Sequence, residues 1–232
     1  IGNEPNGMNI NKECGATHTE ALSRAVRKHR ADVGVALDGD GDRLMMTDAT
    51  GQVMDGDKLI YAIARYRKET GHLSGGVVGT LMTNLGAELA LKALGCDFKR
   101  AKVGDRYVLE LLQQNGWLLG GEASGHILCL DKHTTGDGIV SALQVLAALR
   151  GSGRPLADYT RDCPAFPQIL LNVRVAKGFK LDGQESVVRA VAEVEAELGE
   201  NGRVVLRASG TEPLIRVMVE GQDEIQVRRT AE

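Results

Sequence analysis

Asp38-Gly39-Asp40-Gly41-Asp42-Arg43 sets three carboxylates at alternate positions, separated by two glycines. Asp38, Asp40 and Asp42 would bring three hard oxygen donors to one place, and the glycines let the backbone curl tightly. Such a cluster repels itself unless a cation neutralises it. Oxygen-only ligation favours magnesium or calcium over zinc. A calcium loop of the EF-hand type needs glycine at its sixth position and glutamate at its twelfth. Arg43 and Ala49 stand there, so that reading fails. Magnesium, with positions left open for a phosphate oxygen, fits better. A polar turn between strands also draws Asp and Gly, but five consecutive such residues after an apolar strand exceed what a turn needs.

Gly121-Glu122-Ala123-Ser124-Gly125-His126 lies between two apolar strands. Glu122 and Ser124 could hydrogen-bond sugar hydroxyls, and His126 could move a proton near neutral pH. A polar hairpin would look the same on local grounds. Arg207-Ala208-Ser209-Gly210-Thr211-Glu212-Pro213-Leu214-Ile215-Arg216 places two guanidiniums around two hydroxyls and a glycine. Arginine forks match phosphate oxygens, and loop N–H groups add donors. It is not a Walker loop, and a surface hairpin with solvated arginines is the alternative. Lys102, in Lys102-Val103-Gly104-Asp105-Arg106, ends a strand and is placed to meet an anion or simply water. His18, His29, His72 and His133 show no metal spacing. Cys14, Cys96, Cys129 and Cys163 are scattered, form no CxxC and read as free thiols of a reducing cytosol.

These residues need elements to hold them. Thr19 to Ala31 reads as a helix capped by Thr19, with Leu22, Ala25, Val26 and His29 on one face. Val33 to Leu37 and Leu44 to Met46 read as strands flanking the acidic turn, so residues 1–53 resemble part of an α/β domain. From 54 to 160 strands alternate with helices, as in a complete α/β domain with a mixed sheet. Its helices are expected near 57–69, 84–94, 106–114 and 138–149. In the last, Ile139, Leu143, Leu146 and Ala147 are expected to face the core. A linker is expected within 151–167. A smaller α+β domain follows over 161–232, with strands near 169–175, 203–207 and 214–219, a helix over 185–198 and a final helix capped by Asp223. Ile1 opens a turn-rich stretch, so the chain is expected to begin inside a domain, and the last helix to be cut short.

The 232 residues are 43% hydrophobic and 25% charged, with net charge −3. That supports a buried core and gives no electrostatic reason to expect nucleic acid or an anionic membrane as partner. With aromatics at 3%, a base-stacking surface is not expected. No apolar run reaches the about 18 residues a membrane span needs.

Taken together, these motifs resemble the α-D-phosphohexomutase family over nearly the whole chain, in order and rough spacing, and its bacterial amino-sugar members most. Asn6-Gly7-Met8-Asn9-Ile10-Asn11, Ala101-Lys102-Val103-Gly104-Asp105-Arg106-Tyr107 and Thr134-Thr135-Gly136-Asp137-Gly138-Ile139 add to the likeness. The resemblance implies a metal loop at Asp38 to Arg43, a sugar loop at Gly121 to His126 and a phosphate loop at Arg207 to Arg216. It implies magnesium on Asp38, Asp40 and Asp42. Glu122 and Ser124 would grip the sugar, and Arg207, Ser209, Gly210, Thr211 and Arg216 the phosphate that does not react. His126 would act as acid/base, with Arg43 and Lys102 near the transferring phosphoryl. The implied reaction moves a phosphate between the 6- and 1-positions of a hexosamine through a phosphoserine and a 1,6-bisphosphate. It would feed amino-sugar nucleotide and cell-wall synthesis in a bacterial cytoplasm. A homodimer is compatible with the resemblance. The family's Ser-His-Asn loop is not found in these residues, so the chain alone is expected to be inactive. Ala123 holds the variable position of the sugar loop. Alternatives are a sister specificity for glucose or mannose phosphates, or a non-catalytic module binding magnesium and sugar phosphate.

Overall fold

The computed structural model describes residues 1–176, 179, 183–208 and 213–231. They divide into two units, one built from 1–83 with 87–164 and the other from 84–86 with 165–232. In the first, α1 (Glu20–His29) precedes β1 (Val33–Leu37), β2 (Leu44–Asp48) and β3 (Val53–Met54), which form an antiparallel sheet in that order. Leu22 and Val26 of α1 bury against Ala36. Thr19 does not cap this helix through its side chain: it adopts helical angles and its hydroxyl makes no capping bond. His29 is exposed. Leu37 pairs with Leu44, so the acidic hexapeptide is the hairpin loop between β1 and β2. Its turn is completed by Gly41 at φ +74°, a conformation that a side chain resists.

Next come α2 (Gly56–Glu69), β4 (Val77–Thr80), α3 (Leu85–Ala93), β5 (Phe98–Ala101), α4 (Asp105–Asn115), β6 (Leu119–Gly121), β7 (Ile127–Cys129), α5 (Gly138–Ser152) and α6 (Leu156–Tyr159). The strands order as β5-β4-β6-β7, the first three parallel and β7 antiparallel to β6. This is the mixed sheet expected. Asp55 caps α2 by accepting the Lys58 N–H (3.1 Å). Leu59 to Ala64 of α2 are all buried. A helix apolar on every side must be covered on several, and α2 packs against β6, against the β2–β3 hairpin and against α5.

Helix α5 presents a different face from the one its large residues suggest. Ile139 is 61% and Leu143 56% exposed, whereas Ala142, Val145 and Ala148 are buried. Close packing explains the reversal. Ala148 shares a cluster with Ala62 of α2, and a Cβ added to Gly151 would lie 2.4 Å from the Tyr66 hydroxyl. Helices this close need small residues at the seam. The expected linker also carries structure: α5 runs on to Ser152, and Leu156 and Tyr159 of α6 are buried. Tyr159 donates its hydroxyl to Glu69 (2.9 Å).

The second unit contains β8 (Gln168–Arg174), α7 (Glu185–Leu198), β9 (Gly202–Ala208), β10 (Leu214–Gly221) and α8 (Glu224–Ala231). Its antiparallel sheet orders as β8-β10-β9. Leu198, Val219 and Val227 form its core, joined by Ile169, Val194, Val204 and Val217. Asp223 caps α8, accepting the Ile225 and Gln226 N–H groups (2.8 and 3.2 Å). No helix among the described residues is long and apolar enough to cross a membrane.

Burial pushes the Cys129 thiol up to about 11 and the Cys163 thiol up to about 12, from an ordinary 9.0. Burial also raises Tyr61 and Tyr159. All four prefer their protonated form when folded, so above about pH 9 the unfolded chain loses protons first and the folded state is penalised. The urea midpoint should therefore fall steadily between pH 9 and pH 11. A midpoint that holds or rises over that interval would contradict the buried, neutral placement of these groups.

Candidate active site

His126 ends the turn between β6 and β7 and joins the acidic loop twice. Its backbone forms an antiparallel bridge with Arg43, and its Nδ1 lies 3.0 Å from Asp42 Oδ2. One residue on, the Leu44 N–H donates to the Gly125 carbonyl (2.9 Å). The two loops named from the sequence are thus one local structure within the first unit. Burial works against the Asp42 carboxylate, but its hydrogen bond with His126 and the charges of His126 and Arg43 hold its pKa below the ordinary carboxylate value. With Nδ1–H donating to Asp42, Nε2 becomes the ring atom available for proton exchange. Nε2 is buried without a hydrogen-bond partner, and Asp105 Oδ2 lies 3.9 Å away.

Glycines permit this proximity. A Cβ on Gly136 would stand 2.4 Å from both Cε1 and Nε2 of His126, so the backbone before α5 lies directly on the imidazole. Gly136 thus covers the Nε2 side of the ring. The Gly138 N–H donates to the Gly41 carbonyl (2.8 Å), fixing the start of α5 on the acidic loop. The Gly56 N–H, first in α2, donates to the Ala123 carbonyl (3.0 Å), and a Cβ there would lie 2.0 Å from the Glu122 carbonyl oxygen. Just ahead of α4, the Gly104 N–H donates to Glu122 Oε2 (3.1 Å). The N-termini of α2, α4 and α5 thus all abut the joined loops. Each carries the positive end of a helix dipole, which favours negative charge nearby.

The remaining expected residues are distributed as follows. Asp38 accepts the Arg43 N–H (3.2 Å), and the exposed Arg43 side chain reaches toward the same carboxylate (3.8 Å). Asp40 and Ser124 are exposed and Glu122 is half-buried. Lys102 is exposed, with Nζ 5.7 Å from the Tyr107 ring centre. In the second unit Arg207 and Arg216 stand directly opposite each other on β9 and β10. Ser209, Gly210 and Thr211 lie outside the described residues.

Residues 55–166 match the family described as phosphoglucomutase/phosphomannomutase, alpha/beta/alpha domain III, and residues 170–232 match its C-terminal domain. The chain belongs to the phosphoglucomutase/phosphomannomutase family. It is 66% identical over all 232 residues to a phosphoglucosamine mutase of Thiobacillus denitrificans and 62% identical to that of Neisseria meningitidis serogroup B. It spans about half the length of these curated relatives, 51% and 52%. The fold is similar to that of Aspergillus fumigatus N-acetylphosphoglucosamine mutase in complex with GlcNAc-6P and magnesium. The TM-score is 0.75 at 22% identity, over 95% of this chain and 55% of the other. An N-acetylglucosamine-phosphate mutase of the alpha-D-phosphohexomutase superfamily, in its substrate complex, gives a TM-score of 0.74 at 20% identity, over 95% and 52%.

The donor chemistry of the acidic loop suits the magnesium found in one of these structures. It offers oxygen alone, and Asp42 Oδ1 is buried without a hydrogen-bond partner, an acceptor that a cation would satisfy. The loop is not a closed cage: among the described residues no three His, Cys, Asp or Glu side chains converge as a metal-holding group. Asp38, Asp40 and Asp42 are brought onto one turn but not to a single point, because Asp38 and Asp42 are engaged locally. For the family member described here, Gly104, Asp105, Gly136 and Gly138 were given no role from sequence. Their signal in the sequence is membership of the 101–107 and 134–139 stretches that carry the family likeness.

Replacing Gly136 by alanine should drive the His126 ring off Asp42. Because the obstacle is a buried ring, the overpacking should cost about 1–3 kcal/mol. NMR of the imidazole, with thermal melting alongside, checks this. Unchanged His126 resonances and melting temperature would show that the ring does not rest on the Gly136 backbone.

Proposed function

We propose that this chain is the metal- and sugar-phosphate-binding part of a phosphoglucosamine mutase. The observation that carries the proposal is the joined loop pair, Asp42 clasped to His126, in a chain 62–66% identical throughout to enzymes of that name. Residues 1–53 would be the end of the metal-binding domain, 54–160 the sugar domain and 161–232 the phosphate domain. Because the relatives are twice as long, isomerisation belongs to the complete protein.

In this reading Asp38, Asp40 and Asp42 hold magnesium, which when bound neutralises charge on the phosphoryl group being moved. The chain's own residues do the rest. Glu122, fixed at one oxygen by the Gly104 N–H, keeps the other for sugar hydroxyls, and Ser124 adds a donor. His126, oriented by Asp42, exchanges a proton at Nε2 with the reacting hydroxyl once the 134–136 segment lifts. Arg43 and Lys102 supply positive charge toward the phosphoryl oxygens. Arg207 and Arg216, with Ser209, Gly210 and Thr211, hold the phosphate that stays. A phosphoserine donor is expected from residues outside these 232. The substrate is a hexosamine phosphate, the setting a bacterial cytoplasm, and a homodimer the assembly to test.

Turnover of glucosamine, glucose and mannose 6-phosphates by the complete enzyme tests the proposal. Glucosamine 6-phosphate should be preferred, and Asp40→Ala should remove most activity without altering the circular dichroism spectrum. His126→Asn should lower kcat by about 10²–10⁴-fold. A preference for glucose or mannose phosphate would reassign the substrate, and full activity in Asp40→Ala would refute the metal assignment.

A further inference from the structure

The second unit carries a row of cations, without an ion-paired carboxylate among the described residues, that reaches beyond Arg207 and Arg216. Arg216, on the central strand β10, stands opposite Arg207 of β9 on one side and Asn172 of β8 on the other. Arg174 is two residues beyond Asn172, paired with Leu214, and so points the same way one pleat further along β8. Val204, Val217 and Val219 pack with the α7 and α8 core. The alternating positions 207, 216, 172 and 174 therefore lie on the sheet face away from those helices.

Like charges directly opposite on neighbouring strands destabilise a sheet. Elsewhere on the same face the sheet avoids this. Glu220 stands between Arg203 and Gln168, accepting from the Arg203 Nε and from the Gln168 amide (3.0 Å). At the other end of the face, among the described residues, no carboxylate forms an ion pair with Arg174, Arg207 or Arg216. The Nε of Arg216 is buried with no hydrogen-bond partner. Among the described residues, one row of this face is neutralised internally and the other is left positive.

We propose that β8 completes the phosphate site, with Asn172 and Arg174 as phosphate-binding residues beside Arg207 and Arg216. The proposal rests on the reading of the Arg207–Arg216 segment given above and extends it to a strand that reading did not use. Strands stand about 4.8 Å apart, so the row spans about 10 Å. A phosphate dianion seated over Arg216 would meet guanidinium forks from both neighbours' directions and the Asn172 amide as a neutral donor. It would relieve the repulsion between Arg207 and Arg216 and satisfy the stranded Nε.

The test is an NMR titration of the 232-residue chain with inorganic phosphate and, separately, with glucosamine 6-phosphate. Backbone shifts confirm that each variant is folded. Arg174→Gln should weaken both ligands about tenfold, as expected for losing a charge-assisted bond, and Asn172→Leu about threefold. Arg174→Lys keeps the charge but not the fork and should lose less than Arg174→Gln. Arg189→Gln, on α7, should change nothing. If Arg216→Gln abolishes binding while Arg174→Gln and Asn172→Leu leave Kd unaltered, the role of β8 is overturned and the Arg207–Arg216 reading stands. If neither ligand shifts any resonance of this sheet, both are overturned.

Discussion

Asp42 and His126 are 84 positions apart in sequence, and the contact between them is the constraint on which the candidate site depends. Neither loop has its chemistry alone. The acidic turn is a self-repelling cluster at the end of the β1–β2 hairpin, and the Glu122–His126 turn is a short connection between strands. Joined through the Arg43–His126 bridge and the Leu44–Gly125 bond, they fix one carboxylate oxygen of Asp42 on the imidazole. The other, Oδ1, is left buried and unsatisfied. On the proposed reading, that arrangement would set a cation and a mobile proton beside each other.

The rest of the first unit serves this joint. Helix α2 is buried through its middle by β6, the β2–β3 hairpin and α5, and its N-terminus meets the Glu122–Gly125 turn, where Gly56 leaves no room for a side chain. Helix α5 starts on the acidic loop and approaches α2 closely enough that alanines form the seam. Three helix N-termini consequently abut one loop pair, which suits anionic ligands and offsets part of the carboxylates' repulsion. The close approaches fall at glycines, among them Gly56 on the Glu122 carbonyl, Gly125 on the Leu44 backbone and Gly136 on the His126 ring.

How much of this was legible in the sequence depended on which physical signal carried it. The β/α alternation was read from periodicity because buried strands such as β4 and amphipathic helices such as α4 differ strongly in pattern. The acidic loop was read from charge density alone. The face of α5 was misread because hydrophobicity marks Ile139 and Leu143, whereas close helix packing selects Ala142 and Ala148. Thr19 was misread because a capping residue type cannot cap from helical backbone angles. Within the expected linker, α6 was too short to show a period. Gly136 and Asp105 could not be assigned roles, because long-range proximity to His126 leaves no local trace. The same holds for Asn172 and Arg174, whose meaning comes only from the register of three strands.

Manganese, a paramagnetic substitute for magnesium, offers the most direct test that the acidic loop and the His126 turn form one cation site. Added to the isotopically labelled chain, it should broaden residues 38–43 and 121–126 together, including the His126 imidazole, and the effect should vanish in Asp42→Ala. Broadening that spares the 121–126 turn, or that persists undiminished in Asp42→Ala, would contradict the account.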